Sequence, residues 1–383
     1  MLLDILAAIP VLLALIYFDW QLKNYRFWRQ IKKEQAVENT DPLPSIAVLI
    51  PFRNEAKNLP SLLKGIQQFD YPKAAFYFID DHSTDGGAAI VGENAGAKDV
   101  EGQGPNIQLL SLSDHLNGRV VMAHKKTALT YAISQSTADI ILTIDADCQL
   151  PPTLLRDIAA AFAAGNDVVL GPVLITSDDN DFLSGFQALD LAGYQLYTAA
   201  CVAAGDPTLA NGACFAFRRD LFTEVGGYTG VDHLPSGDDV LLLHKLVNHG
   251  NVRFGWHQGP AVKTRSVGSW PGLWRQRLRW AGKAGNYVSP NLQFGQALAF
   301  LTALGILVAL VWGTFDHIFL MAGFIAWVLK AIIDYVLLSD ISRHYGEKKW
   351  LRWYPFTQLL YPFYLVAIGT AALLGVKTSW KGR

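Results

Sequence analysis

Two hydrophobic patterns divide this chain. Between about residues 44 and 264 the apolar runs are short and rich in β-branched residues. IAVLI (Ile46–Ile50), FYFID (Phe76–Asp80), IQLLSL (Ile107–Leu112), DIILTID (Asp139–Asp145) and DVVLGPVLI (Asp167–Ile175) show little polar alternation. That is the signature of strands buried on both faces. Asn58–Gln68 and Lys125–Gln135 carry helical spacing between them. Strands alternating with helices predict an α/β domain with a mostly parallel sheet covered on both faces.

Elsewhere the apolar runs are long: 2–18, about 297–315, about 318–338 and about 355–376. Each approaches the roughly 20 residues that span a bilayer as a helix. The expected plan is a transmembrane helix at 1–20, a basic juxtamembrane linker at 21–43 and a folded domain at 44–264. An interfacial helix region at 265–292 follows, then a membrane region at 293–383 with about three helices.

Charge orients this plan. Lys23, Arg26, Arg29, Lys32 and Lys33 follow the first apolar run, and flanking positive charge stays cytoplasmic. Residues 21 to about 295 are therefore expected inside an integral plasma or inner membrane protein, with Met1 outside. The loop holding Arg343, Lys348, Lys349 and Arg352 agrees if the second and third apolar runs form a hairpin. Lys377, Lys381 and Arg383 would then lie outside, so the last run either re-enters or overrides a weaker signal. A cleaved signal peptide is the poorer reading, since the first run carries Asp4, lacks a basic start and has no small-x-small site after it.

The chain has 383 residues, 51% of them hydrophobic, and a formal net charge of −1. Near-neutral charge gives no support for nucleic-acid binding. Three cysteines without pairwise metal spacing (Cys148, Cys201 and Cys214) read as reduced thiols.

In open parallel sheets ligands bind beyond the carboxyl ends of the strands. The polar residues stand at those ends: Arg53-Asn54-Glu55, Asp80-Asp81, and Asp145 with Asp147. Carboxylates at i and i+2 on an extended stretch point the same way. Asp145 and Asp147 can thus share one hard cation, Mg²⁺ or Mn²⁺, together with substrate phosphates; the plainer alternative is a solvated loop or a helix cap. Asp80-Asp81-His82-Ser83-Thr84-Asp85-Gly86 reads either as a structural turn or as a loop recognising a base or ribose, with His82 a loop residue. Asp238 and Asp239 precede an apolar helical run. One acid can serve the helix N-terminus, leaving another as a general base for an acceptor hydroxyl. Lys125 opens a helix and either meets a phosphate as a point charge or is a surface lysine.

WRQRLRWAG (Trp274–Gly282) sets three arginines and two tryptophans shortly before the second apolar run. It reads as a membrane-surface helix or as a clamp for an anionic ligand. The two readings are compatible on different faces, with Trp270, Trp274, Arg275 and Arg277 suiting the membrane side.

In order along the chain, IPFRNE (Ile50–Glu55), IDDHSTDGG (Ile79–Gly87), KKTAL (Lys125–Leu129), DADC (Asp145–Cys148), NGACFAFRRDLFTEVGGY (Asn211–Tyr228), GDD (Gly237–Asp239) and QRLRW (Gln276–Trp280) resemble the membrane-bound inverting glycosyltransferases of family two, including ceramide glucosyltransferase-like and cellulose synthase-like members. The resemblance covers about residues 44 to 290 and the membrane plan. It implies a nucleotide-sugar-binding GT-A domain plus transmembrane helices, and a hexosyltransferase-type activity. It assigns Asp80 and Asp81 to the uridine, Asp145 and Asp147 to a metal on the diphosphate, and Asp239 to the base, with Asp238 its neighbour. Gln276, Arg279 and Trp280 (the Q-x-x-R-W motif) would close over the diphosphate and acceptor. Pro51, Asn54, Glu55 and Lys125 would line the nucleotide pocket. The implied donor is a nucleotide-sugar, UDP-linked on the uridine assignment, and the implied acceptor a lipid or glycan. Gly-Asp-Asp stands where many relatives have Glu-Asp. About three spans after the domain are fewer than polysaccharide-extruding relatives carry, which suits single addition to a lipid.

The rival readings are a processive polysaccharide synthase, a non-catalytic nucleotide-sensing scaffold, a nucleotidyltransferase, and a transport component suggested by Lys330 and Asp334 within an apolar run.

Overall fold

The computed structural model describes residues 2–31, 43–95, 104–283, 285 and 287–376. Lys32, Lys33, Lys377, Lys381 and Arg383, which entered the charge argument, lie outside them. By internal packing the chain divides into two units: residues 1–29, 175–200 and 266–383 form one, and residues 30–174 and 201–265 the other.

The second unit is α/β. Its strands are β1 (Ile46–Phe52), β2 (Ala74–Asp80), β3 (Asn106–Ser111), β4 (Ile140–Thr143), β5 (Cys148–Gln149), β6 (Val168–Leu170), β7 (Val173–Thr176, which runs past its boundary), β8 (Phe215–Arg218), β9 (Phe254–Trp256) and β10 (Val262–Arg265). Helices α2 (Leu59–Ile66), α3 (Gly87–Asn94), α4 (Leu112–Leu116), α5 (His124–Gln135), α6 (Leu154–Ala163), α8 (Arg219–Glu224) and α9 (Asp238–His249) connect them. α1 (Leu2–Ile31) and α7 (Phe182–Ala203) belong mainly to the other unit, although α7 falls inside the interval 44–264.

The main sheet has the order β3-β2-β1-β4-β8-β6-β9. β1 pairs in parallel with β2 and β4, β2 with β3, and β6 with β9, whereas β8 runs antiparallel between β4 and β6. A mostly parallel sheet is therefore present. Its apolar runs bury Val48, Ile50, Phe76, Phe78, Ile140 and Leu142 in one core. One expected strand is really two. At Gly171-Pro172 the run 167–175 breaks into β6, in the main sheet, and β7, in a small sheet of order β5-β10-β7. A Cβ at Gly171 would lie 2.2 Å from Cys214 Sγ, so only glycine lets the strand pass here.

Past β9, His257 is buried. Its backbone N–H reaches Leu170 O at 2.7 Å, and its Nδ1 accepts from Gly259 N at 2.7 Å. Nε2 has no partner among the described residues. Burial holds the imidazole neutral, with its pKa lowered to about 4.

The first unit holds four helices long and apolar enough to cross a membrane: α1, α11 (Pro290–Trp312), α12 (His317–His344) and the 3-10 turn Lys348–Trp353 running into α13 (Tyr354–Leu373). α10 (Trp270–Ala281) precedes them. Small residues let these helices approach, as they do inside membranes: a Cβ on Gly323 of α12 would lie 3.1 Å from Ala309 Cβ of α11. Val308, Val311, Met321, Phe324 and Phe363 remain exposed, as a lipid-facing surface requires. Lys330 and Asp334 pair with each other and are buried. Asp334 also accepts from Tyr17 Oη (2.8 Å) and Gln358 Nε2 (3.3 Å). The intramembrane charges thus satisfy one another, a structural use of the pair.

Candidate active site

In the α/β unit the carboxyl ends of β1, β2 and β4 lie side by side, because the three strands are parallel and in register (Phe52 opposite Asp80, Leu49 opposite Thr143). The loops leaving them interlock. Asn54, at φ 54°, is left-handed, a conformation Asn tolerates better than most residues. Its N–H donates to Ser83 Oγ (3.0 Å), and its Oδ1 accepts from Thr84 N (2.8 Å). Asp80 accepts from Ser83 N (3.0 Å), and Asp85 from Ala56 N (2.7 Å). Asp80 and Asp85 thus brace the turn through backbone N–H groups. Asp81 differs. It is buried, and its Oδ1 lies 2.9 Å from Nδ1 of both His82 and His124. The three side chains could hold a metal ion. His82 is thus more than a loop residue, and the only signal of His124 in the sequence is its place just before Lys125.

Lys125 is the hub of the second cluster. Its Nζ donates to Asp145 Oδ1 at 2.8 Å and stands 3.0 Å from Asp238 Oδ2. Burial opposes its charge, but Asp145, Asp238 and Asp239 outweigh it and raise the pKa well above the ordinary value. Asp239 accepts from Gly212 N through Oδ2 (3.1 Å) and from Val240 N through Oδ1 (2.8 Å). Gly212, in the loop entering β8, comes close because it lacks a side chain: a Cβ there would meet Lys125 Nζ at 3.1 Å and Asp238 Oδ2 at 3.2 Å. Its role was not legible from the motif alone. The neighbouring Lys126 is buried and donates to Val231 O (2.6 Å) and Leu234 O (2.8 Å). That ties the loop before Asp238 to α5.

Asp147 lies two residues beyond Asp145 and is partly buried. Burial, then the charges of Asp145 and Glu55, raise its pKa to about 6, against the donation from Thr264 Oγ1 at 3.3 Å. A carboxylate held this unfavourably gains most from a cation. The donors here are oxygens only, which fits Mg²⁺ or Mn²⁺. Glu55 also receives Asn58 Nδ2 at 2.6 Å, and Pro51 lies in β1 opposite Ile79, one residue before the strand ends.

Gln276, Arg279 and Trp280 belong to the first unit, on α10, whose Ser269 caps it by accepting from Gly272 N. Trp270, Trp274 and Arg275 are exposed, as a membrane-side face requires. Arg277 is not: it is 3% exposed and ion-paired to Asp190 at 2.8 Å. The expectation that it faces the membrane surface is corrected. The reason is a buried acid on α7, 87 residues away in sequence.

A GT-A type α/β fold with strand-end carboxylates and an attached helical membrane unit defines a membrane glycosyltransferase class. The sequence matches the family described as Glycosyl transferase family 21 over residues 6–383, and the chain belongs to that family. It is 24% identical over 246 residues to the beta-monoglucosyldiacylglycerol synthase of Synechocystis sp., covering 63% of this chain and 48% of that one. It is 30% identical over 144 residues to the undecaprenyl-phosphate 4-deoxy-4-formamido-L-arabinose transferase of Klebsiella pneumoniae subsp. pneumoniae, covering 37% and 40%. The chain thus spans about half or less of the length of these curated relatives. Among solved structures it resembles the mannosyltransferase PcManGT of Pyrobaculum calidifontis, in complex with GDP-Man and Mn²⁺. The TM-score is 0.59 at 21% identity, covering 97% of this chain and all of that one. That likeness concerns the fold.

Proposed function

We propose that the protein is a metal-dependent, inverting glycosyltransferase that moves a sugar from a nucleotide-sugar, UDP-linked on the assignment of Asp80 and Asp81, to a hydroxyl of a membrane lipid. The observation that carries this reading is the convergence of Asp145, Asp238 and Asp239 on Lys125 at the strand ends. The glycolipid and prenyl-phosphate relatives support the lipid acceptor. The positive residues Lys23, Arg26 and Arg29, in the last turns of α1, support a cytoplasmic catalytic unit.

In this reading Asp239 is the base. Asp238 is committed to Lys125, while Asp239 is oriented by two backbone N–H groups. It takes the proton of the acceptor hydroxyl as that oxygen bonds to the anomeric carbon. The bond from that carbon to the donor phosphate breaks on the opposite face, inverting the configuration, and the electron pair leaves on the nucleoside diphosphate. Lys125 holds Asp145 and Asp238 in place and lends positive charge to the site. Asp145 and Asp147 would hold Mg²⁺ or Mn²⁺, which when bound supplies charge that stabilises the leaving group. Arg279, Gln276 and Trp280 are assigned to the diphosphate and acceptor by the resemblance, not by the geometry.

The test is release of nucleoside diphosphate by the purified full chain in detergent, with native lipid extract, Mn²⁺ or Mg²⁺, and a panel of UDP- and GDP-sugars. Release should need lipid. In Asp239→Asn it should fall by about 10²–10⁴-fold, the usual contribution of a general base, with nucleotide binding retained. Lost nucleotide binding with normal turnover per bound donor would remove Asp239 from the role. A long glycan as product would favour a processive synthase.

A further inference from the structure

Arg277, the first arginine of QRLRW, has no part in the assigned motif, yet it is buried and carries an ion pair, a hydrogen bond and a ring contact. α10 buries Leu273, Arg277 and Leu278, so the arginine occupies a position where its neighbours on that face are leucines. Nε donates to Asp190 Oδ2 at 2.8 Å, and Nη1 donates to Gln276 Oε1 at 2.7 Å. The guanidinium carbon stands 4.2 Å from the centre of the Trp280 ring. Asp190 has no exposed side-chain surface, and its Oδ1 accepts from Tyr361 Oη of α13 at 3.0 Å. The Tyr361 ring in turn lies 5.0 Å from Lys330 Nζ.

For packing alone a leucine would serve, because a buried ion pair returns little net stability over apolar residues of similar volume. A leucine could not engage an amide and an indole together. We propose that Arg277, held by Asp190, is the positioning residue of the Q-x-x-R-W helix. With Oε1 committed to Arg277, Gln276 has its amide N–H₂ to present. With one face against the guanidinium, Trp280 has its other face for a sugar or base. The planar guanidinium does both at once, which a lysine ammonium cannot. Asp190 fixes the fork, and Tyr361 fixes Asp190. The inference rests on the reading that Gln276 and Trp280 act on the donor or acceptor.

The test uses the full chain in detergent, labelled with 5-fluorotryptophan, the Trp280 ¹⁹F line being assigned with Trp280→Phe. In wild type the Trp280 line should be single and narrow. Asp190→Asn and Arg277→Lys should shift or broaden it. Turnover per folded molecule should drop on the order of 10–100-fold, as small misplacements of substrate-positioning groups do, with a smaller change in nucleotide affinity. If the single variants fold poorly, Asp190→Asn/Arg277→Gln removes both charges, leaves none unpaired, and should show the same line change. An unchanged Trp280 line in folded variants overturns the proposal, as does unchanged turnover with a lowered melting point, which marks a purely structural pair. Absence of turnover in wild type on every donor defeats the functional reading instead, and the fluorine line still decides whether Arg277 positions Trp280.

Discussion

Replacing Lys125 by Met keeps most of the side-chain stem and removes the charge that three carboxylates share. Asp145 and Asp238 sit 2.8 and 3.0 Å from Nζ. At an effective dielectric of roughly 20, each contact has a gross attraction of about 6 kcal/mol. The cost of desolvating the lysine cancels much of that. The lysine is 24% exposed and Asp145 41% exposed, so solvent screens a further share. Removing one partner of a fully buried pair costs about 3–5 kcal/mol; with this exposure the net loss should be about 1–3 kcal/mol. That corresponds to a fall in melting temperature of roughly 3–10 °C for a unit of this size. Metal should reverse it. Without Lys125, Asp145 has no competing cation, so Mn²⁺ at about 100 times its Kd, worth about 2.7 kcal/mol, should be reached at lower concentration. The assay is thermal unfolding in detergent across a Mn²⁺ titration, wild type beside Lys125→Met. Equal melting points without metal, together with equal metal-induced shifts, would refute the electrostatic account of the hub.

Other outcomes follow from single contacts. His257 has a folded pKa of about 4 against an ordinary 6.5, so its contribution to stability is complete above pH 6.5 and is lost as pH falls through 4. The difference of about 2.5 units is worth about 3 kcal/mol, and His257→Gln should flatten the acid limb of a melting-temperature profile between those values. A Cβ on Gly185 would stand 2.1 Å from Trp353 Cδ1. Gly185→Ala should therefore destabilise the membrane unit by about 1–3 kcal/mol, the usual cost of overpacking; an unchanged melting point would mean the tryptophan moves freely. Gly212→Ala, with its contacts at 3.1 and 3.2 Å to polar groups, should lower turnover more than it lowers the melting point, a split read by kinetics and unfolding on one preparation.

Much of the sheet was legible because its strands are buried on both faces and announce themselves as unbroken apolar runs. Four runs, now β1 to β4, lie where the pattern put them, and parallel pairing then gathers their end residues. The same lack of alternation hid the break at Gly171-Pro172, since a run without period cannot reveal a change of sheet. α7 was missed for a related reason. Its buried side chains include Gln187, Asp190, Gln195 and Thr198, so neither its hydropathy nor its polarity singled it out. Arg277 looked like a surface arginine because a buried cation is identified by its partner, and Asp190 is remote in sequence. The acids and Lys125 could be named from their motifs, but their convergence depends on Gly212 and on tertiary contacts that spacing does not encode.

The α/β unit receives the chain twice, as residues 30–174 and again as 201–265, with α7 between them assigned to the other unit. During synthesis, Lys125 and Asp145 emerge long before Asp238, Asp239 and the strand β8 that completes the middle of their sheet. α7 in turn waits for Arg277 to neutralise Asp190. The α/β unit cannot close its sheet until α7 has been made, and the helical unit cannot pair Asp190 until Arg277 has emerged. A fragment ending at residue 265 would present the carboxylate of Asp190 without its guanidinium, and one excising α7 would sever the sheet. Maturation of the helical unit is thus a late event, and chains truncated before residue 277 should be left with Asp190 buried and unneutralised.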